Sequence, residues 1–234
     1  MKSFRDGIIR LFRAAGGRLS WVAQRLELGA RASAFDQWVR DRGDLNKRLD
    51  YALEPSAVVW DVGGYEGQWA SDIYSRFGCY VEVFEPAPHA CSFIRRRFSA
   101  NPRVRVHPYA LGVEECSERL SLAGDASSLE TACCGADTQT VVVRDVVAVM
   151  KEMGGGIDLM KLNIEGSEYS LIERLVTSGL IGEVRELQVQ FHDFVPNAQS
   201  RRGNLLKSLA RTHEQTWCYE FVWENWKRRP AHRQ

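Results

Sequence analysis

The stretch VVWDVGGYEGQWA, residues 58–70, decides the fold. Ala57, Val58, Val59 and Trp60 run into Asp61, and a glycine pair, Gly63-Gly64, follows, with Gly67 close behind. A short apolar run bounded by turn residues reads as a buried strand. The glycine pair permits a tight turn and lets a ligand approach bare backbone. The residues after Gly67 can begin a helix. This strand–turn–helix unit opens open α/β sheets, which bind ligands at the carboxyl ends of their strands.

The rest of the chain continues the pattern. AVVWDV is followed by a helix near 67–77, YVEVFEP, a helix near 88–98 and VRVHPYAL. Later come IDLMKLNI, a helix near 167–178 and ELQVQFHD, in which His192 is the last residue but one. Strands alternating with helices predict a mostly parallel sheet covered on both faces. Between VRVHPYAL and IDLMKLNI, RLSLAG and TQTVVV read as a β-hairpin insertion around the polar loop DASSLETACCGAD, and RDVVAVMKEM reads as a helix. The chain closes with NLLKSLART as a helix and TWCYEFVWENW as a strand-like run at the sheet edge, its aromatics in the core. Residues 1–52 read as an N-terminal helical cap and 53–234 as the α/β domain.

The 234 residues are 44% hydrophobic and 26% charged with net charge +1, as in an ordinary globular protein, and this balance predicts no nucleic-acid partner. Six cysteines, at 79, 91, 116, 133, 134 and 218, form neither a zinc pattern nor a disulfide framework. With no signal-peptide pattern and no membrane-length apolar run, the expected location is cytoplasmic. The first helix interleaves Phe4, Ile8, Leu11 and Phe12 with arginines. It reads either as a cap on the core or as a basic amphipathic helix that docks on a membrane or a partner protein.

Glu85 stands 24 positions after Asp61, at the end of the second strand. An acid there can accept hydrogen bonds from both hydroxyls of a ribose. Asp61 inside the glycine turn is a poor neighbour for a pyrophosphate and a good one for an ammonium group. A ligand with an adenosine-like sugar at one end and an amino-acid group at the other is S-adenosylmethionine. NAD fits the glycine spacing less well.

VVWDVGGYEGQWA, VFEPAPHA, HPYALG, DASSL, IDLMKLNIEGSEYSLI and VQFH occur in this order. Together they resemble the FkbM family of S-adenosylmethionine-dependent methyltransferases, over roughly residues 57–195. The resemblance implies a Rossmann-like class I methyltransferase fold with a seven-stranded sheet. It also implies O-methylation of a hydroxyl on a sugar, glycan or secondary metabolite. By the same resemblance Asp61, Gly63 and Gly67, with Gly64 beside them, line the methionine end of the cofactor, and Glu85 holds the ribose. Ala110 and Leu111 sit beside the adenine. Asn163 replaces the family's usual Asp and removes one negative charge near the sulfonium.

Lys161, Asn163 and Glu165 interrupt a strand expected to be buried on both faces. They read either as a structural pair of Lys161 with Asp158 or Glu165, or as the floor of a cleft for the acceptor. His192 is the first candidate for the base that takes the acceptor's proton, because an imidazole titrates near neutrality. Glu165 is the second. Glu168, in the first turn of the next helix, has a sufficient role toward the helix dipole. Asp158, Glu165, Glu168, His192 and Asp193 lack a diagnostic metal spacing, and the scheme needs no metal.

Overall fold

The computed structural model describes residues 30–121 and 138–230. The readings of the first basic helix and of the loop carrying Cys133 and Cys134 lie outside them. The described chain begins with helix α1 (Ala30–Arg40) and a single helical turn, Gly43–Asn46.

Strand β1 (Val58–Val62) is buried along almost its whole length. Alternate side chains leave its two faces. Val59 packs with Val81, Val83 and Leu159 on one side of the sheet. Trp60 and Val62 pack with Phe84, Met160 and Leu162 on the other. This division explains the unbroken apolar run: both faces are covered. Helix α2 (Gln68–Phe77), strand β2 (Tyr80–Phe84), helix α3 (Pro88–Arg97) and strand β3 (Val104–His107) follow.

The expected strand VRVHPYAL is two strands. Pro108 has no N–H to give a ladder, and β4 (Ala110–Gly112) leaves for a second sheet. There it pairs parallel to β6 (Thr138–Asp145), which pairs antiparallel to β5 (Cys116–Ser121). The expected hairpin insertion is thus present, with one strand more. Leu120 and Val141 of this small sheet pack on Ala87 and Ala90 at the start of α3.

Helix α4 (Val146–Glu152), strand β7 (Ile157–Leu162), helix α5 (Glu168–Thr177), strand β8 (Val184–Val189) and helix α6 (Ala198–Leu209) return the chain to the main sheet. The run TWCYEFVWENW contains two strands, β9 (His213–Tyr219) and β10 (Trp223–Arg228), turned at Phe221. The order across the sheet is β3-β2-β1-β7-β8-β10-β9. All neighbours from β3 to β8 are parallel, and β10 runs antiparallel to both of its neighbours.

The tail aromatics are mostly core. Trp226 joins the main cluster, and Tyr219 and Trp223 pack with Trp38 of α1. Tyr219 donates to Asp41 Oδ2 at 2.6 Å. Next to this contact lies a buried polar row. Gln188 donates to Tyr51 Oη (2.7 Å), Tyr51 donates to Asn225 Oδ1 (3.1 Å), and Asn225 donates to Glu186 Oε2 (2.9 Å). Among the described residues, no helix is long and apolar enough to cross a membrane.

Candidate active site

The carboxyl ends of β1, β2 and β7 open into one cleft of about 750 Å³, counting the space open to solvent. Its rim is built first by the glycine turn. The N–H groups of Gly63 and Gly64 both donate to Phe84 O, at 3.0 and 3.3 Å, which ties the turn to the end of β2. Gly63 has φ +83°, and a Cβ on it would stand 2.0 Å from Asn163 O. A Cβ on Gly64 would stand 2.2 Å from Val83 Cγ1. The sequence reading had these glycines clear room for a ligand. The protein itself takes that room: the turn is pressed between β2 and the end of β7, and Gly63 reaches the cleft with its backbone.

Glu85 follows β2 directly and lines the cleft. Its Oε2 accepts the Tyr65 N–H (2.8 Å) and its Oε1 the Ala87 N–H (2.9 Å). These bonds fix both oxygens and leave lone pairs for a further donor. Burial pushes the carboxyl up from its ordinary pKa, against the pull of the two N–H groups.

Asp61 and Lys161 are register partners across the β1–β7 ladder, and both side chains are buried. Lys161 Nζ donates to Asp61 Oδ1 (2.8 Å) and to Gly63 O (2.7 Å). The expected partners of Lys161 were Asp158 or Glu165. Asp158 instead accepts the Val58 N–H and pairs with Arg185. The ammonium that suits Asp61 therefore comes from the chain, and Lys161 braces the glycine turn through its carbonyl. Asp61 Oδ2 and Asn163 Oδ1 are buried acceptors with no hydrogen-bond partner among the described residues. Such atoms are costly, about 1–3 kcal/mol each, until a donor meets them.

Strand β7 stops at Leu162, so Glu165 does not continue its alternating face. It lies in a turn, with φ +52° at Glu165 and +114° at Gly166. Glu168, fully buried at the start of α5, holds this turn: its Oε1 accepts the Ile164 N–H (2.8 Å) and its Oε2 the Gly166 N–H (3.0 Å). The same Oε1 stands 2.9 Å from His192 Nδ1. His192 lies three residues beyond β8, and its Nε2 faces Glu165 Oε2 at 3.4 Å. Glu165 lines the cleft, and His192 stands behind it.

Gly63, Glu85, Ala110, Leu111, Asn163 and Glu165 thus meet in one cleft. Asp61 and Lys161 lie beneath its turn. Gly67 caps α2 against Ile94 and Phe98. Sequence reasoning missed Tyr65 and Leu120 as lining residues. Tyr65 sits inside the quoted motif, so position alone could have found it. Leu120 arrives from the small sheet, and no local signal shows where that sheet docks.

No family profile matches the chain, and no curated protein matches it by sequence. Solved structures do match in fold. A Clostridium thermocellum protein provisionally described as an rRNA methylase has a TM-score of 0.51 at 10% identity, covering 82% of this chain and 96% of that one. An rRNA methylase from Streptococcus thermophilus gives 0.47 at 8% identity, covering 82% and 96%. A fibrillarin/Nop5p complex chain gives 0.48 at 11%, covering 77% and 76%. The first of these likenesses establishes the fold: a Rossmann-like, methyltransferase-type sheet with mostly parallel strands.

Proposed function

We propose that this chain is an S-adenosylmethionine-dependent methyltransferase that acts on a hydroxyl of a sugar, glycan or secondary metabolite. The observation that carries the reading is a single cleft holding Glu85 at the end of β2, the bare backbone of Gly63, and Ala110 and Leu111. The donor set of the cofactor fits it. Glu85 has lone pairs to spare for two ribose hydroxyls. Ala110 and Leu111, with Leu120 opposite, offer apolar surface to an adenine. Asn163 Oδ1 is an unpartnered buried acceptor on a residue that lines the cleft, which suits an ammonium donor.

Topology favours this cofactor over NAD. Dinucleotide-binding sheets have the order 3-2-1-4-5-6, whereas here an antiparallel strand, β10, is inserted before the edge strand. When bound, the cofactor would supply an electrophilic methyl group to the acceptor oxygen, with sulfur keeping the electron pair of the broken carbon–sulfur bond, and a base on the protein would take the hydroxyl proton. The chain's part is alignment and proton removal. Glu165 and His192 are the two candidates for that removal. Lys161 supports the turn from below. The near-neutral charge of the chain supports a small acceptor rather than a nucleic acid.

Calorimetry with S-adenosylmethionine, S-adenosylhomocysteine and NAD tests the cofactor. The expected result is binding of the first two and none of the third. Binding of none would favour a scaffold that keeps the fold without the chemistry. Labelled methyl transfer to a panel of glycans, metabolites and RNA then tests the acceptor, and label appearing in RNA alone would overturn the acceptor class.

A further inference from the structure

The Glu165–His192–Glu168 row carries an inference that rests on the methyltransferase reading and deepens it. Both nitrogens of the His192 ring face carboxylate oxygens: Nδ1 stands 2.9 Å from Glu168 Oε1 and Nε2 stands 3.4 Å from Glu165 Oε2. The ring side chain is 3% exposed. Each oxygen of Glu168 already accepts a backbone N–H, from Ile164 and Gly166, so the carboxyl meets the ring as an acceptor. Nδ1 must therefore bring a proton to it. A bare Nε2 would turn its lone pair toward a second carboxylate in a site nearly free of water, where such repulsion is poorly screened. An imidazolium donates from Nδ1 to Glu168 and sets its positive charge 3.4 Å from Glu165 Oε2. Asp193 is the next residue in the chain. The surrounding groups include the Tyr169 hydroxyl, which donates to His192 O, and Arg201, which lies over the Tyr169 ring rather than against the imidazole.

We infer that Glu165 is the catalytic residue that takes the acceptor's proton, and that His192 is a positioning residue, held doubly protonated between Glu165 and Glu168. The ring has no lone pair to offer an acceptor hydroxyl, whereas Glu165 lines the cleft. Glu168 anchors the whole arrangement, because one carboxyl fixes both the turn that carries Glu165 and the ring that faces it. His192 stabilises the ionised form of Glu165, the form able to receive a proton. The transfer is balanced: the proton leaves the acceptor oxygen as that oxygen forms its new bond to carbon, and it ends on a Glu165 oxygen.

The test reads the ring directly and needs no acceptor. Protein labelled with ¹⁵N-histidine is studied by long-range ¹H–¹⁵N spectroscopy between about pH 6 and 8.5, the range in which an ordinary histidine loses its charge. The His192 signals are identified by their loss in His192→Gln. We expect both ring nitrogens to be protonated throughout the range. We also expect Glu165→Gln to return the ring to the single-proton form. An unprotonated Nε2 in the wild type near pH 7.5 would overturn the assignment. Calorimetry with S-adenosylmethionine on the same samples separates the two claims: a protonated ring in a protein that binds no cofactor would sink the methyltransferase reading alone. With an acceptor from the panel, Glu165→Gln should lower kcat by about 10²–10⁴-fold. His192→Gln, which sets an N–H donor near the place of Nε2, should keep more turnover than His192→Asn, which reaches only Glu168. Full activity in Glu165→Gln would also refute the proposal.

Discussion

Gly63→Ala isolates the packing of the glycine turn. Two costs act at this position. The left-handed φ of +83° disfavours any Cβ by about 1–2 kcal/mol. The new Cβ would also stand 2.0 Å from Asn163 O, a backbone atom that cannot rotate away. Overpacking in a filled site costs about 1–3 kcal/mol, and a collision with backbone belongs at the upper end. The sum is about 2–5 kcal/mol. In a domain of this size each kcal/mol lowers Tm by about 2–4 °C, so Gly63→Ala should melt about 4–20 °C below wild type. Gly154→Ala is the matched control. Its φ is +89°, yet nothing lies within 4 Å of the added Cβ. It carries only the first cost and should lose about 2–8 °C by the same conversion. Thermal unfolding by circular dichroism compares the pair, and calorimetry with S-adenosylmethionine follows. If Gly63→Ala melts with Gly154→Ala, the close contact between the β1 turn and the β7 end carries no energy. The reasoning about why the motif needs glycine would then fail.

Three further outcomes are expected. Glu85→Gln should weaken S-adenosylmethionine binding by about 2–4 kcal/mol, the scale for hydrogen bonds to a charged group plus unpaired partners. Burial raises the folded pKa of Glu85 above 4.5, so the carboxylate protonates earlier than usual as pH falls. Affinity should then drop on acidification, beginning above the ordinary carboxylate range, and calorimetry should find Glu85→Gln flat over the same window. The linked folding term has the opposite sign: it stabilises the cofactor-free protein below the unfolded pKa and is lost as pH rises through the folded one. Lys161→Met leaves Asp61 buried without its partner and should cost about 3–5 kcal/mol in urea unfolding. Adding Asp61→Asn should recover much of that loss, and additive losses would show that the pair is not coupled. His192→Ala should lower methyl transfer to an identified hydroxyl acceptor while leaving calorimetric cofactor affinity unchanged; normal turnover would remove the ring from the mechanism.

The parts of the fold that local pattern specifies were legible in the sequence. Val58–Val62, Tyr80–Phe84 and Ile157–Leu162 are apolar runs because both sheet faces are covered. Their carboxyl ends placed Asp61, Glu85 and Asn163 on one edge. The split of VRVHPYAL had a visible signal in Pro108, since a proline inside a strand run argues against an unbroken strand. Glu165 was placed by extending a period of two past Leu162, and Gly166 marked the turn that breaks that period. The partner of Lys161 was not legible. Asp61 lies 100 positions away, and the register between two strands that are not consecutive is set by the whole sheet. The docking of Leu120 on α3 is likewise a contact between sheets that no local rule encodes.

The contacts of α1 and of Tyr51 with the last two strands have a consequence for synthesis. Tyr51 meets Asn225 across 174 positions, and Asp41 meets Tyr219 across 178. A ribosome adds about 5–20 residues per second, so about 9–35 s pass between the making of these partners. Late in that interval, once β8 has been made, β1, β2, β7 and β8 are available to pair, but the polar row on β8 lacks Asn225, and Trp38 lacks Tyr219 and Trp223 to pack against. The segment around Trp38 and Tyr51 must wait, among the first described residues to be made and among the last to dock. A nascent chain halted before Tyr219 therefore presents an indole and an incomplete sheet edge together, the features that chaperones engage.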